Sequence, residues 1–358
     1  MTPAHCVKNA ENPPKVYIVI LNWNGWKDTV ECLESVCRLD YGHVQVVVCD
    51  NDSSDDSLTH IRAWADGQAP VLIDEKNPLR RLSFPNIPKP VSYAELSRPD
   101  AEASRLSPLQ EPLILIQTGG NLGFAGGNNV GLRFVLQQGD AAYVWLLNND
   151  TVVEPDALST LVEQCISQAQ TGRPFTSGSL VCFYSDPEVI QALGGSQFNE
   201  RTGIASQTLG RFKHRSEPVD HAQVAQSLHY ITGCTWLLPI TYLHDVGLME
   251  ESYFLYYEEI DWTMRAGQRY GLTYAPGSVV YHKEGSSIGS KTIHRAPSLL
   301  AEYFMTRSKV RFMRRFFPWR LPVVYVFSLA QALNRMKQGF PQNGWTIFRA
   351  LLGLARKK

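Results

Sequence analysis

Three groups of side chains in this 358-residue sequence have the types and settings to do chemistry on a phosphate-bearing substrate. The run Leu146-Leu147-Asn148-Asn149-Asp150 ends an apolar stretch in polar residues just before Thr151. A carboxylate at such a strand end can hold a hard divalent cation, which bridges two phosphates and stabilises the charge of a departing diphosphate. The competing reading is a helix cap ahead of Pro155. Glu258, Glu259 and Asp261 place three acids within four positions, behind the aromatic stretch Tyr253 to Tyr257. The helix dipole accounts for any one of them, but three exceed what a first turn needs, and one carboxylate suffices to deprotonate an attacking hydroxyl. His282 closes the apolar run that follows Pro276-Gly277. A lone histidine there is usually structural, and as a metal ligand it requires Asp150 nearby.

Two further clusters have the composition of binding loops. Asp50-Asn51-Asp52-Ser53-Ser54-Asp55 follows the apolar run Val44 to Cys49, and short polar side chains at the carboxyl end of a strand can hydrogen-bond a base and a ribose. The same residue types also cap helices. Asn121-Leu122-Gly123-Phe124-Ala125-Gly126-Gly127-Asn128-Asn129 follows the run Leu113 to Ile116. Its glycines allow close backbone approach to a ligand, and its amides can cap a helix or hold a donor.

The elements that must position these residues are short runs rich in β-branched residues. Val16 to Leu21 and Val44 to Cys49 suit strands buried on both faces of a parallel sheet, and Val30, Leu33, Val36 and Cys37 between them lie at helical spacing, so the stretch reads as a βαβ unit. Leu113 to Ile116 and Tyr143 to Leu147 repeat the pattern around a helix in which Val130, Phe134 and Val135 face the sheet. Residues 16–150 therefore read as a nucleotide-binding α/β half behind an N-terminal tail, 1–15. Residues 74–112 interrupt it with seven prolines and no sustained periodicity, which predicts a surface excursion. A helix over Pro155 to Gln168 opens a mixed half, 151–298, and 299–358 reads as a basic amphipathic helical region broken at Pro318 and Pro322.

The formal net charge of zero hides a division. Residues 301–358 carry 12 Lys or Arg against the single acid Glu302, leaving 22 basic and 33 acidic residues in the first 300. That tail calls for an anionic partner: a membrane surface suits it, while nucleic acid is disfavoured because no binding motif accompanies the charge. An interleaving of Arg307, Lys309, Arg311, Arg314, Arg315 and Arg320 with Phe304, Val310, Phe312, Met313, Phe316, Phe317 and Trp319 predicts an interfacial face, against the alternative of packing on the body's acidic surface. The longest apolar run, Leu321 to Leu333, stops at 13 residues, short of the ~20 that a spanning helix requires. Seven cysteines without a C-x-x-C pair, and a polar N-terminus without a signal-peptide pattern, lead to an expected cytoplasmic placement with reduced thiols.

Taken in order, the strings VYIVILNWNG, VVVCDNDSSDDS, NLGFAGGNNVGL, WLLNNDTVVEPDAL, FLYYEEIDWTMRAGQRYG and YAPGSVVYH resemble family-2 glycosyltransferases of the GT-A fold, particularly the bacterial rhamnosyltransferase-like branch. They span residues 16–282 and leave the insert and tail unmatched. The resemblance implies an α/β GT-A fold, a Rossmann-like mixed sheet flanked by helices, here with a C-terminal amphipathic helical tail. It implies Asn22, Asp50 and Asn51 at the base and ribose, and Asn121 and Asn128 near the donor's phosphates or sugar. Asp150 corresponds to the last acid of the family's D-x-D motif and, with His282, would ligate Mg²⁺ or Mn²⁺; Asn148 and Asn149 depart from the motif and leave one protein carboxylate for the metal. Glu259 falls at the position of the base, with Asp261 its rival. The implied reaction is direct displacement with inversion, moving a sugar such as rhamnose from a dTDP- or UDP-sugar to a glycan or lipid-linked acceptor for the cell surface. The place of action would be the inner face of the cytoplasmic membrane. Nucleotidyl transfer would favour a basic loop after the first strand, where Asn22-Trp23-Asn24-Gly25 has none, and an inactive binding module would not need Asp150, Glu259 and His282.

Overall fold

The computed structural model describes residues 13–103, 109–206, 210–283 and 297–354, so most of the tail expected over 1–15 lies outside it. In chain order the elements are β1 (Val16–Asn22), α1 (Trp26–Val36), β2 (Val44–Asp50), α2 (Ser57–Ala65), β3 (Tyr93–Ser97), α3 (Arg98–Glu102), β4 (Leu113–Gln117), α4 (Gly123–Gln138), β5 (Tyr143–Asn148) and β6 (Thr151–Val153). They continue with α5 (Ala157–Ala169), β7 (Phe175–Phe183), β8 (Ile190–Leu193), β9 (Gly195–Asn199), β10 (Ile204–Ser206), α6 (His221–Ser227), β11 (Tyr230–Ile231), β12 (Thr235–Pro239) and α7 (Ile240–Val246). The last are α8 (Glu258–Ala266), β13 (Gly271–His282), α9 (Leu299–Phe316), α10 (Leu321–Lys337) and α11 (Pro341–Leu351).

The strands form one mixed sheet in the order β10-β9-β8-β7-β12-β5-β1-β2-β4-β3, with β13 alongside β7 and β6. Pairing from β5 through β3 is parallel, and β12 turns the direction between β5 and β7. Side chains alternate between two cores, as the period of a strand demands: Tyr17 and Val19 pack under α4, while Val16, Ile18 and Ile20 pack under α1 and α5. Both faces are buried, which is why the sequence shows continuous apolar runs rather than polar alternation.

The insert is not the surface excursion expected of it. β3 adds a parallel edge strand to β4, Leu79 and Leu82 are buried, and the Ile87 N–H donates to Glu34 of α1 at 2.8 Å. Pro85, Pro88 and Pro90 all precede this five-residue strand, so they break periodicity in the sequence without entering the sheet. The tail expectation also needs correcting at α9. Phe312, Met313 and Phe317 are buried against Phe198, Tyr253, Tyr257 and Ile260 of the body, so this face is packing and not an interfacial surface.

Candidate active site

Strand register assembles the site. The β1–β2 ladder sets Asn22 opposite Asp50, and β2–β4 sets Asp50 opposite Gln117. Asp50 consequently accepts from Asn22 Nδ2 at 2.7 Å, and from the Ser53 N–H and Gln117 Nε2 at 3.2 Å each. The loops after β1 and β2 are stitched together, with the Asn24 N–H donating to Ser53 Oγ at 2.9 Å and the Ser54 N–H to Asn24 Oδ1 at 2.7 Å. Asn24 and Asp52 hold left-handed φ values of 50° and 64°, a conformation that Asn and Asp tolerate better than most residues.

The second binding cluster is tied to the first. Asn51 Nδ2 donates to Asn121 Oδ1 and to Gly123 O at 3.2 Å each, while Asn51 Oδ1 accepts from the Leu122 N–H at 3.0 Å. Asn121 Oδ1 also accepts from the Gly123 N–H at 3.0 Å, so this pair shapes the turn that opens α4. Gly123 has φ 72°, and a Cβ there would lie 2.2 Å from Phe254 O, so any side chain would push α4 off the loop before the acidic motif. Asn128 is 2% exposed and donates to Phe124 O one turn back.

The candidate metal pair comes together by a different ladder: β13 runs antiparallel to β6, pairing His282 with Thr151, and the Lys283 N–H donates to Asp150 O at 2.9 Å. His282 Nε2 then lies 3.1 Å from Asp150 Oδ1. Gln191 Oε1 stands 3.1 Å from Nδ1, so it can accept from an N–H carried there, the tautomer that a metal ligand at Nε2 requires. One carboxylate and one imidazole at a buried strand end are a donor set that fits Mn²⁺, and less well Mg²⁺, which prefers oxygen. Among the described residues no group of three or more His, Cys, Asp or Glu is placed to hold a metal, so remaining ligands would come from a substrate or water. Asn149 faces inward: its Nδ2 donates to Thr29 Oγ1 at 3.0 Å and reaches Asn22 Oδ1 and Gly25 O at 3.4 Å. An aspartate in that position would face those two carbonyl oxygens with no proton to offer.

The acidic motif reaches the same end of the sheet through α8. Tyr256 and Tyr257, at φ 67° and 74°, are successive left-handed residues, a strained turn for bulky side chains that is held by packing of Tyr257 and by its hydroxyl donating to Gly203 O at 2.5 Å. The turn aims Glu258 and Glu259 into the protein. Burial drives Glu258 well above the ordinary carboxylate range, with the adjoining Glu259 charge adding to the effect. Glu259, partly exposed, is also raised by burial, offset by its own and the Gly233 backbone amides. A Cβ on Gly233 would fall 2.5 Å from Glu259 Oε1, so only glycine lets the carboxylate sit there. The neighbouring Cys234 accepts at its carbonyl from the Asn148 N–H at 3.0 Å, and its thiol, pushed up to about 12 mainly by burial, feels both Asp150 and Glu259. A cavity of about 90 Å³ lined by Thr232, Cys234, Gln191, Arg211 and His282 lies beside the metal pair. A larger cavity of about 690 Å³ sits at the start of β13, the strand's opposite end from His282.

Asp261, the rival to Glu259, is elsewhere. It is 0% exposed and accepts from Arg265 Nε at 2.7 Å, Arg315 Nη1 at 2.9 Å and the Tyr253 hydroxyl at 3.2 Å. Two guanidinium groups hold that carboxylate in a buried ion-pair network that ties α8 to α9. Gln191 and Gly233 carry no local signal in the sequence, because their roles arise from partners 91 and 26 positions away, His282 and Glu259. The glycine preceding Cys234 looks like any other.

Residues 17–79 match the sequence profile described as Glycosyl transferase family 2. Over 161 residues the chain is 27% identical to the low-salt glycan biosynthesis hexosyltransferase Agl10 of Haloferax volcanii, a match covering 42% of this chain and 45% of that relative, so the chain spans less than half the relative's length. Among solved structures, GalNAc-T7 with UDP, GalNAc and Mn²⁺ superposes with a TM-score of 0.50 at 12% identity, covering 84% of this chain and 51% of the other; the likeness is one of fold. The mannosyltransferase PcManGT from Pyrobaculum calidifontis, in complex with GDP-Man and Mn²⁺, gives a TM-score of 0.48 at 14% identity over 96% of this chain and 87% of its own.

Proposed function

We propose, from the premise that this chain belongs to glycosyl transferase family 2 and has the GT-A fold, that it transfers a sugar from a nucleotide diphosphate donor to a hydroxyl of a glycan acceptor with inversion. The observation that carries the reading is the meeting of Asp150, His282 and Glu259 around Cys234, reached from β5, β13 and α8. Asn22 and Asp50 sit at the carboxyl ends of β1 and β2, where an open parallel sheet takes its nucleoside, and Asn51 and Asn121 fix the loop beside them. Asp150 and His282 would hold Mn²⁺ or Mg²⁺, which when bound supplies positive charge for a leaving diphosphate. Glu259 accepts the proton of the acceptor hydroxyl as that oxygen attacks the anomeric carbon and the nucleotide diphosphate departs from the opposite face. Its raised proton affinity suits that work, and burial raises the proton affinity of the adjoining Glu258 as well.

The donor is a dTDP- or UDP-sugar, with rhamnose the favoured sugar on the branch resemblance. The discriminating experiment is thermal stabilisation of the protein by a panel of nucleotide sugars with Mn²⁺, followed by transfer assays on the best binder. Stabilisation by a nucleotide sugar but by no unrelated nucleotide supports the reading; equal response to ATP and to all sugar nucleotides would overturn it.

A further inference from the structure

Helix α10 turns the wrong face to water. Its inward positions recur every four residues as Val324, Ser328 and Ala332, each 0% exposed, and Ser328 Oγ donates back to Val324 O at 2.7 Å. The apolar side chains Val323, Val326, Phe327, Leu329 and Leu333 lie outside, preceded by exposed Trp319. Val326 and Trp319 are 65% and 68% exposed. Apolar side chains left in water forfeit hydrophobic stabilisation, and a contiguous exposed apolar patch marks an interaction surface.

Charge identifies the partner. Residues 303–358 hold 12 basic residues and no acidic one, and the acid just before them, Glu302, faces inward, accepting from Arg335 Nε at 3.1 Å and from Gln331 and Asn343 at 3.3 Å each. Arg314 and Lys337, by contrast, are exposed near the two ends of α10. Two copies meeting through this face would bring like charges together, whereas an anionic bilayer offers both an apolar layer and the opposite charge. No described helix is long and apolar enough to cross a membrane.

We infer that the outward face of α10, with Trp319, is a docking surface on which the protein lies against an anionic lipid bilayer. The surface differs from the α9 face that the sequence pattern favours, because α9 spends its aromatic residues on the body. Its readout is lipid binding, independent of sugar transfer. The test is co-sedimentation of the full chain with vesicles of phosphatidylcholine alone or mixed with phosphatidylglycerol, at low and high salt. Val326→Glu/Phe327→Glu and, as a second disruption, Trp319→Ser/Leu333→Ser are run beside it, with melting temperature as the check of folding. The expected result is pelleting with anionic vesicles that weakens as salt screens the cations, and a partition reduced by about tenfold or more in a folded variant. The inference is overturned if the unaltered protein stays in solution with anionic vesicles at low salt, or if both folded variants pellet equally well. It is also overturned if sedimentation velocity shows a dimer that the variants dissociate, without vesicle binding.

Discussion

The fold treats the carboxylates at the ends of β2 and at the start of α8 in opposite ways. Asp50 is surrounded by donors from Asn22, Ser53 and Gln117, which fix its orientation. Glu258 is buried and Glu259 partly so, and among the described residues Glu258 Oε2 has no hydrogen-bond partner. A carboxylate that must take a proton gains from an environment that raises its affinity for it. Asp261, on the same helix turn as Glu259 but gripped by Arg265 and Arg315, shows that the contrast follows partners rather than position in the sequence.

The contrast breaks most sharply at Glu259. Glu259→Gln is expected to lower kcat by ~10² to 10⁴ while nucleotide-sugar affinity, measured by titration calorimetry, stays within a factor of about three. Asp150→Ala is expected to cost ~10² to 10³ in kcat and to abolish the response to added Mn²⁺, read from rates across a metal titration. Asp261→Asn should act on folding instead, lowering stability by about 3 kcal/mol in urea titrations, because it leaves Arg315 and Arg265 without their buried partner. An Asp261→Asn protein of normal stability and no activity would reverse the assignment of the two acids.

Titration sharpens the comparison further. Because the Glu259 proton affinity is raised, kcat should fall as pH drops through a point above the ordinary carboxylate range, giving an acid limb displaced upward. For Glu258 the folded pKa exceeds the unfolded one, so its proton stabilises the fold at low pH and that stability is lost as pH rises through the folded pKa. Glu258→Gln should accordingly melt at a higher temperature than the natural protein at pH 8 and match it near pH 4. Lys309 of α9 is the cationic counterpart, lowered to about 8 by burial against the partial support of Glu302. Its depressed pKa means stability is gained as pH climbs from about 8 past the unfolded value and lost on the way down. Lys309→Met should therefore stabilise the protein at pH 7, by roughly 3 kcal/mol at most, with the gain shrinking by pH 10.

The nucleotide half was legible because buried parallel strands write themselves as unbroken apolar runs: Val16–Asn22, Val44–Asp50 and Tyr143–Asn148 all appear where the β-branched residues put them. Asp150 and His282 were legible as candidates, but their meeting depends on the antiparallel β13–β6 ladder, which no local pattern announces. β3 was hidden by the prolines ahead of it, and by a Tyr-Ala-Glu-Leu-Ser strand that lies at the sheet edge, part exposed, and so lacks the continuous apolar signature. Helical spacing in α9 and α10 showed which residues share a face but not which face meets the body; that choice is made by aromatic residues at 198, 253 and 257.

Arg315 reaches back 54 positions to Asp261, and Phe312 packs on Tyr257 just before the acidic motif. The order of synthesis then matters. While the ribosome is still making α9, the nucleotide half has already emerged and can fold on its own contacts, yet the turn that aims Glu259 lacks its support. At that stage the acidic motif is made, but the α9 contacts that brace it are still to form.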